Sequence, residues 1–390
     1  MSEVVMHLQL DDAELARAGA LHTAREIEQQ PDSWERTLAL LRARRASVSA
    51  FLAPLLARPE LRIILTGAGS SAFIGECLAP TLTRLLGRQV LALASTDLLS
   101  GPREYLLPDV PTLLVSFGRS GGSPESIAVV ELAGKLLSEC HQLIITCNEQ
   151  GALYQRCQGA PRSLALLMPG ETHDQGFAMT SSFTSMMLAG LLAFGVGDAA
   201  TQAGTVAHLG AGARQVLSRH HETLRALASA DYSRVVYLGS NALKAIAREA
   251  ALKLLELTDG QVVAGFESAL GFRHGPKTIV NGDTLLVMFV SNDPYTRRYD
   301  LDLLRELRDD GRAGAVLAIS GRSDEAVARG RVLLLEGLDA APDSELAFPY
   351  VVCAQLYAFH RALRLGNRPD QPSASGTVSR VVRGVTIHPW

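Results

Sequence analysis

TLLVSFGRSGGSPES (Thr112–Ser126) is the stretch around which the rest of the chain is organised. Its opening residues, TLLVSF, are β-branched or apolar apart from one serine, and they predict a short buried strand. Gly118, Gly121 and Gly122 allow the backbone to turn sharply and to come close to a ligand. Pro124 suits the first turn of a helix, so the following SIAVVELAGKLL is predicted to continue as an amphipathic helix.

A strand, a Gly/Ser loop and a helix N-terminus in this order form a candidate anion site. Free backbone N–H groups and the helix dipole both favour negative charge there. The loop adds the hydroxyls of Ser116, Ser120, Ser123 and Ser126 and the fixed positive charge of Arg119. It is not a P-loop, since the G-x-x-x-x-G-K-S/T spacing and its lysine are missing. The stretch predicts a phosphate site, and the alternative is a glycine-rich turn that binds nothing.

Composition restricts the class of protein. The chain has 390 residues, enough for two or three domains, and its 47% hydrophobic content supports a large core. A net charge of −3 argues against a nucleic-acid partner. The chain contains no run of about 18 apolar residues, and its N-terminus is acidic, so we expect no membrane span, no signal peptide and a cytoplasmic location. The five cysteines form no C-x-x-C pair and are predicted to be reduced thiols.

Residues 61–200 alternate between strand and helix patterns. The predicted strands are Arg62–Thr66, Val90–Leu93, Thr112–Phe117, Gln142–Thr146 and Ser163–Leu167. The predicted helices are Ala72–Leu86, Ser123–Ser138 and Thr180–Phe194. Such alternation predicts a parallel sheet with helices on both faces and ligands at the carboxyl ends of the strands.

The first of these strands ends in TGAGSSAF, a second Gly/Ser loop that contains Gly69, Ser70 and Ser71. Its G-x-G is weak evidence for a dinucleotide, because the third glycine of G-x-G-x-x-G is absent and no acidic residue suitably ends the second strand. The sequence also shows no metal-ligand spacing. We therefore expect neither a nicotinamide cofactor nor a metal ion.

The whole pattern then repeats. RVVYLGSNALKAIAREAALKLLEL (234–257) mirrors RIILTGAGSSAFIGECLAPTLTRLL (62–86), and DTLLVMFVSNDPYTRRYDLDLLREL (283–307) mirrors PTLLVSFGRSGGSPESIAVVELA (111–133). This duplication predicts two similar α/β domains. Where the first copy has GRSGGS, the second has VSNDP with Asp293, and a carboxylate repels phosphate. The anion site is therefore assigned to the first half.

The predicted organisation has four parts. They are a helical N-terminal segment (1–50), a first domain (51–200), a second domain (215–366) and a tail over a cleft (367–390), with a helical bridge at 205–230. The N-terminal helices are predicted over Glu14–Gln29 and Trp34–Ala50, with a break near Pro31 and an N-cap at Asp32-Ser33. Later elements are the strands Ala315–Ile319 and Arg331–Leu335 and a closing helix, Phe348–Leu365.

The second-half helix carries Glu249, Lys253 and Glu256, whose i, i+4, i+7 spacing puts them on one face. The alternative is a solvated face with a Glu-to-Lys pair, although the surrounding alanines and leucines favour burial. Downstream, His274 lies before a Gly-Pro turn in a basic setting. A carboxylate and an imidazole in one cleft suit proton transfer on a sugar, where one group takes a C–H proton and the other opens the ring.

The repeats resemble tandem sugar isomerase (SIS) domains. TGAGSSAF, SFGRSGGSPES, EAALKLLEL and RHGPK match, in order and spacing, the motifs of the isomerase half of glucosamine-6-phosphate synthase, over about residues 50–390. SFGRSGGSPES, GFRHGPK, NDPYTRRYDLDLLREL and the tail SGTVSRVVRGVTIHP resemble more specifically the AgaS family of tagatose-6-phosphate ketose/aldose isomerases or galactosamine-6-phosphate deaminases. The resemblance implies two tandem three-layer α/β/α domains after a helical lead-in.

The resemblance also implies roles for individual residues. Glu256 would move a proton between C1 and C2 of the sugar, and Lys253 would lie near the sugar hydroxyls or the enolate. His274 would open the pyranose ring, and in the synthase this histidine comes from the partner subunit. The implied phosphate-binding residues are Ser71, Arg119, Ser120 and Ser123, and the further substrate-binding residues are Gly69, Ser70, Gly121 and Glu249.

The chain departs from the synthase in two respects. It lacks the glutaminase domain with its N-terminal cysteine, and Arg383 stands nearest to the lysine of the synthase tail. Because arginine forms no Schiff base, amide-nitrogen transfer is not expected. We expect a homodimer or larger assembly that converts galactosamine 6-phosphate to tagatose 6-phosphate and ammonia. The alternatives are isomerisation without ammonia loss and a non-catalytic sugar-phosphate sensor, and the choice between galacto and gluco substrates stays open.

Overall fold

Two five-stranded parallel sheets dominate the structure, a computed structural model that describes residues 5–195, 199–382 and 384–390. The strands are β1 (Met6–His7), β2 (Leu10–Asp11), β3 (Arg62–Thr66), β4 (Val90–Ala92), β5 (Thr112–Gly118), β6 (Cys140–Thr146), β7 (Ser163–Leu167), β8 (Arg234–Leu238), β9 (Val263–Glu267), β10 (Thr284–Val290), β11 (Ala315–Ser320) and β12 (Arg331–Leu334). The α-helices are α1 (Asp12–Ala18), α2 (Leu21–Glu28), α3 (Gln30–Ala43), α4 (Arg45–Leu56), α5 (Ser70–Leu86), α6 (Ser95–Ser100), α7 (Pro102–Tyr105), α8 (Pro124–Leu136), α9 (Ala152–Cys157), α10 (Ser181–Ala193), α11 (Ala199–Ser218), α12 (His221–Ala228), α13 (Ala242–Leu257), α14 (Ala269–Phe272), α15 (Thr296–Asp310), α16 (Glu325–Ala328) and α17 (Asp343–Arg364).

Both sheets have the same topology. The first has the order β4-β3-β5-β6-β7, the second has the order β9-β8-β10-β11-β12, and neighbouring strands are parallel throughout. Numbered within each sheet, both orders are 2-1-3-4-5. Ligands bind such sheets outside the carboxyl ends of the strands where the order reverses, here between strands one and three. The predicted fold of two tandem three-layer α/β/α domains is confirmed.

Burial explains the apolar patterns. Val115 of β5 lies opposite Leu65 of β3 and Leu143 of β6, and all three side chains are fully buried, as expected for strands covered on both faces. Helices α10 and α17 are apolar on nearly every side and are buried along almost their whole length, which marks them as inner helices. No helix among the described residues is long and apolar enough to cross a membrane.

The chain divides into two compact units that do not follow chain order. The first-sheet unit contains the described residues of Asp32–Asp174, Ser181–Gly204 and Val378–Trp390. The second-sheet unit contains those of Met1–Pro31, Gln175–Thr180 and Thr205–Thr377. The C-terminal segment thus belongs with the first sheet, and helices α1 and α2 belong with the second.

The predicted strands are all present, whereas the N-terminal helices differ from the prediction. The segment predicted as one helix, Glu14–Gln29, is divided between two helices, α1 and α2. The break occurs because Gly19 ends α1 in a left-handed conformation (φ +64°). The predicted N-cap at Asp32-Ser33 is wrong, since α3 begins at Gln30 and both residues lie inside it. Pro31 falls in the first turn, where its missing N–H leaves no bond unmade. The closing helix begins five residues before the predicted Phe348, at Asp343.

Candidate active site

The first Gly/Ser loop joins β3 to α5 through two glycines that no other residue could easily replace. A Cβ on Gly67 would lie 2.6 Å from the backbone carbon of Ser71, so the close approach of strand and helix requires glycine. Gly69 has φ +58° and ψ −131°, a conformation that L side chains rarely adopt. The helix therefore starts abruptly, and the predicted site residues Ser70 and Ser71 occupy its buried first turn.

The second Gly/Ser loop, after β5, is anchored by its carbonyl groups. Asn148 Nδ2 donates a hydrogen bond to the carbonyl of Ser120 (2.9 Å), and the N–H of Leu153 donates to that of Gly121 (2.9 Å). The C=O and the following N–H of a trans peptide point in opposite directions. The N–H groups of Gly121 and Gly122 therefore point away from the loop that follows β6. Successive amides turned to one side in this way form a concave anion site.

The start of α8 adds donors to the same loop. Ser123 is the N-cap residue, but its side chain makes no capping hydrogen bond, and Pro124 occupies the first helical position. The Ser123 side chain therefore leaves the first-turn amides of α8 uncapped, and the positive end of the helix dipole adds to them. Ser120 and Ser123 are half-buried, and Ser120 Oγ accepts a hydrogen bond from the N–H of Gly122 (3.2 Å).

Arg119 is engaged with the tail of the chain. Its side chain is buried, and Nη2 donates a hydrogen bond to the carbonyl of Arg380 (2.8 Å). Arg380 in turn donates to the carbonyl of Asp174, and the ring of Trp390 lies 5.0 Å below the guanidinium of Arg103. Arg119 thus contacts the C-terminal segment at Arg380, within the first-sheet unit, a contact that the loop sequence does not indicate. The predicted counterpart of the synthase lysine at position 383 lies outside the described residues.

Two buried hydroxyls lie at the ends of the same strands: that of Ser116, which the sequence associates with the anion loop, and that of Thr66, which sequence reasoning missed. Thr66 and Ser116 lie opposite each other in β3 and β5, and each is less than 3% exposed. Within the described ranges neither hydroxyl has a hydrogen-bond partner. An unsatisfied buried hydroxyl is costly, so this pair marks a place where a ligand or water would be stabilised. The signal available in the sequence is a polar residue at the carboxyl end of each of the two central strands.

The corresponding point of the second sheet is closed by carboxylates. Asp300 accepts hydrogen bonds from the hydroxyl of Ser240 (2.6 Å) and the N–H of Ser291 (2.9 Å), and burial raises its pKa to about 6. Asp343 accepts from the N–H of Asn292 (2.9 Å). Backbone amides that could bind an anion are thus already bound by the chain's own acids, which is why we keep the anion site in the first-sheet unit.

Glu249, Lys253 and Glu256 lie on one face of α13, as predicted, and this face is largely buried. Lys253 Nζ lies 2.5 Å from Glu256 Oε2 and 3.4 Å from Glu249 Oε1, and the Lys253 and Glu249 side chains are at most 1% exposed. The alternative of a solvated helix face is therefore wrong. Glu256 is the exception, with 23% of its side chain exposed. The triad presents one accessible carboxylate, oriented by a buried ammonium group.

His274 lies on a separate, exposed turn after α14. Its N–H donates to the carbonyl of Gly271 (3.0 Å), and the described residues offer its side chain no hydrogen bond or ion pair. The turn is held from its flanks, where Arg273 Nε binds Glu306 at 2.7 Å. Hydrogen bonds to Asp310 and Glu306 raise the pKa of Lys277. The basic setting of His274 is thus neutralised by α15, and only the imidazole is left available.

Neither a metal cluster nor a reactive thiol is evident in the described part of the chain. It contains no group of three or more His, Cys, Asp and Glu side chains placed to hold a metal ion. All five cysteines are free, and burial raises the pKa of the Cys147 thiol to about 12, which disfavours the nucleophilic thiolate.

Known proteins resemble this chain over nearly its whole length. The SIS domain model matches residues 55–195 and 227–364. The D-galactosamine-6-phosphate deaminase AgaS of Escherichia coli is 49% identical over 383 residues, which cover 96% of this chain and 97% of that protein. The D-galactosamine-6-phosphate deaminase AgaS of Shewanella sp. (strain ANA-3) is 44% identical over 387 residues, covering 98% of this chain and 96% of that protein. The crystal structure of tagatose-6-phosphate ketose/aldose isomerase from Escherichia coli superposes with a TM-score of 0.88 at 46% identity, covering 95% of this chain and 96% of that one. The chain therefore belongs to the SIS-domain family and, within it, to the AgaS family.

Proposed function

We propose that this protein is an aminosugar-phosphate deaminase that converts galactosamine 6-phosphate to tagatose 6-phosphate and ammonia. The observation that carries the proposal is the buried triad on α13, which presents Glu256 as a single accessible carboxylate. The AgaS relatives named as deaminases support the choice of substrate. A phosphorylated sugar does not cross membranes freely, so we place the reaction in the cytoplasm.

The substrate phosphate binds at the two Gly/Ser loops. The N–H of Gly121 and the start of α8, which the Ser123 side chain does not cap, supply backbone donors, and the nearby serines supply hydroxyls. The hydroxyl-bearing residues are Ser70, Ser71, Ser120 and Ser123, with Gly69 allowing close approach. Arg119 contributes by holding the tail segment beside the loop rather than by a contact that we assign to the phosphate.

The chemistry divides between the two proton-transfer groups. His274 moves a proton from the C1 hydroxyl to the ring oxygen, which opens the ring and exposes the C1 aldehyde. Glu256 removes the C2 proton to form an enolamine and returns a proton to C1, which leaves an imine at C2. Water adds to the imine and ammonia leaves, giving the ketose 6-phosphate. Lys253, held against Glu256 and Glu249, orients the working carboxylate. In this mechanism it would lie near the sugar hydroxyls or the enolate.

Plain aldose/ketose isomerisation is the second candidate, because the structural relative from Escherichia coli bears the name of a tagatose-6-phosphate isomerase. It needs the same proton transfer between C2 and C1 and the same phosphate site. The only difference is the group on C2, since a hydroxyl gives a ketone directly and an amine gives an imine that hydrolyses. The two activities are separated by whether ammonia is released.

An ammonia assay across a small panel tests the proposal. The panel is galactosamine 6-phosphate, glucosamine 6-phosphate, unphosphorylated galactosamine and tagatose 6-phosphate. We expect ammonia from galactosamine 6-phosphate and none from the unphosphorylated sugar. Interconversion of tagatose 6-phosphate with its aldose without ammonia from either amine would establish the isomerase instead. Binding of the phosphosugars without turnover would indicate a sensor.

We further propose that the working form is a homodimer or larger, in which His274 completes the partner subunit's site. Its support is an exposed imidazole with no side-chain partner among the described residues. Mixing Glu256→Gln chains with His274→Ala chains tests this. In a two-fold dimer one of the two sites regains both groups, so a mixed dimer should recover about half of wild-type activity. A mixture as inactive as its parents would show that each chain completes its own site.

A further inference from the structure

The second-sheet unit contains a basic cavity that the proposed reaction does not use. It has a volume of about 300 Å³ and lies between the segments that follow β10 and β11. Its lining residues are Pro294, Arg297, Arg298, Leu301, Arg305, Arg322, Asp324, Glu325 and Ala326. Four guanidinium groups face two carboxylates, so the lining carries a net charge of 4 − 2 = +2. This volume is at the lower end of the range for small-molecule sites.

The four arginines are not equivalent. Arg297 is buried and committed to the structure, since its Nη2 binds Asp324 at 2.6 Å and its Nη1 donates to the carbonyl of Ser291. It forms a rigid wall rather than a ligand-binding arm. Arg298 and Arg322 are exposed, and among the described residues neither side chain has an ion pair or a hydrogen bond. These two guanidinium groups are therefore available to an incoming anion.

Arg305 is the remaining cation, and it is only partly engaged. Its Nη1 lies 3.1 Å from Asp302, and both side chains are at least half exposed, so the pair contributes little and is easily exchanged. The start of α15 cannot supply donors, because Asp293 already accepts hydrogen bonds from the N–H groups of Tyr295 and Thr296. Recognition in this cavity would thus depend on guanidinium side chains, which suit the paired oxygens of a phosphate group.

We propose that Arg298 and Arg322 bind a phosphate monoester in this cavity, as a second anion site distinct from the Gly/Ser loops. A monoester carries about −1.5 to −2 charges at neutral pH, which matches the charge of the lining. Leu301 and Pro294 provide an apolar wall for the carbon skeleton of the ester. The cavity follows the third strand of its sheet, as the Gly/Ser anion loop follows the third strand of the other.

Isothermal titration of the full chain with inorganic phosphate, and separately with a hexose 6-phosphate, tests the proposal. We expect two phosphates per chain for the wild type and one for the Arg298→Gln/Arg322→Gln variant. The Ser120→Ala/Ser123→Ala variant should keep the second site, and adding both arginine substitutions to it should weaken the remaining binding by about 100-fold. Tighter binding of the hexose 6-phosphate than of inorganic phosphate would identify an ester as the ligand. Tighter binding of inorganic phosphate would overturn the proposal that the ligand is an ester.

Arg312→Gln is the matched control. Arg312 is an exposed arginine of the same unit outside the cavity lining, and its substitution should leave both sites intact. Phosphate binding that is identical in the wild type and in Arg298→Gln/Arg322→Gln would overturn the proposal. Unchanged phosphate binding together with an altered molar mass by light scattering would show instead that these arginines contact a second copy of the chain.

Discussion

Both sheets have the same strand order, but the loops at their carboxyl ends differ. Within the described part of the chain, the loop after the third strand of the first sheet lacks carboxylates bound to its backbone amides, whereas in the second sheet carboxylates bind the corresponding amides. After β5 the chain has glycines and serines, and the N-cap residue Ser123 makes no capping hydrogen bond at the start of α8. After β10 the corresponding backbone amides are bound by Asp300 and Asp343, and Asp293 binds those that lead into α15. Topology therefore creates the opportunity for an anion site, and local side chains decide whether the chain's own carboxylates occupy it.

The two copies have also diverged in what their first helices carry. Helix α5 begins with Ser70 and Ser71, whereas α13 carries the buried Glu249–Lys253 pair and the accessible Glu256. The proposed function assigns anion binding to the first copy and proton transfer to the second. The following substitutions test this division, in order of decreasing expected effect.

Glu256→Gln should cause the largest loss. The amide keeps the size of the side chain but cannot accept the C2 proton, so kcat should fall by about 10²–10⁴ or more, with KM little changed because no phosphate contact is altered. Ammonia release measures kcat, and NMR in D₂O follows exchange of the C2 hydrogen. Glu222→Gln, at an exposed side chain of α12, is the control and should behave as wild type. Wild-type exchange in Glu256→Gln would exclude Glu256 from the mechanism.

Ser120→Ala combined with Ser123→Ala should affect KM rather than kcat. In the proposed site each hydroxyl donates to a charged phosphate, and loss of such a bond costs about 1.5–3 kcal/mol, so KM should rise by about 10² or more. Initial rates over a range of galactosamine 6-phosphate concentrations give both constants, and Ser100→Ala, away from the loop, is the control. An unchanged KM would show that Ser120 and Ser123 do not bind the substrate phosphate.

Asp300→Asn tests the closed end of the second sheet through stability. The amide cannot accept from both Ser240 and Ser291, so the free energy of unfolding should fall by about 1–3 kcal/mol. The folded pKa of Asp300 is raised from 3.8 to about 6, so the folded state keeps a proton that the unfolded state loses. The wild type is therefore stabilised by this carboxyl at pH 4, and that stabilisation is lost as the pH rises towards 6.

The loss of unfolding free energy caused by Asp300→Asn should accordingly be larger at pH 4 than at pH 7, by at most about 3 kcal/mol. Urea unfolding at both pH values measures it, and Asp302→Asn, which is exposed, controls for the general effect of acid. A deficit that does not change with pH would mean that the buried carboxyl is ionised throughout.

Asn241→Gly should have the smallest effect. Asn241 and Gly69 are the N-cap residues of α13 and α5, and their backbone angles are nearly equal, at φ +52° and ψ −122° against φ +58° and ψ −131°. Asparagine is strained in this backbone conformation and glycine is not, so the substitution should stabilise the protein by up to about 1 kcal/mol. Loss of the weak hydrogen bond from Asn241 to Thr296 reduces this gain. Thermal unfolding measures it, and a lower melting temperature would contradict the expectation.

The sequence alone predicted the strands of the two large sheets except β9, together with the duplication and the positions of both Gly/Ser loops. Each of these depends on short-range patterns, such as apolar runs in buried strands and glycines at tight turns. It also predicted that Glu249, Lys253 and Glu256 share a face, because helix geometry relates residues that are close in the chain. The helix boundaries were less accurate, as at Gln30, where a proline in the first turn resembles a break.

Only the tertiary structure decided which partners these groups take. Arg119 lies in a loop that predicts a phosphate ligand, yet it binds the carbonyl of Arg380, 261 residues away. Asp343 accepts a hydrogen bond from the N–H of Asn292, 51 residues before it, and Glu306 pairs with Arg273, beside His274. Such pairings depend on packing between elements that are distant in sequence, and no local periodicity encodes them. The residue types were therefore determined by the sequence, whereas the charges left free for chemistry were determined by the fold.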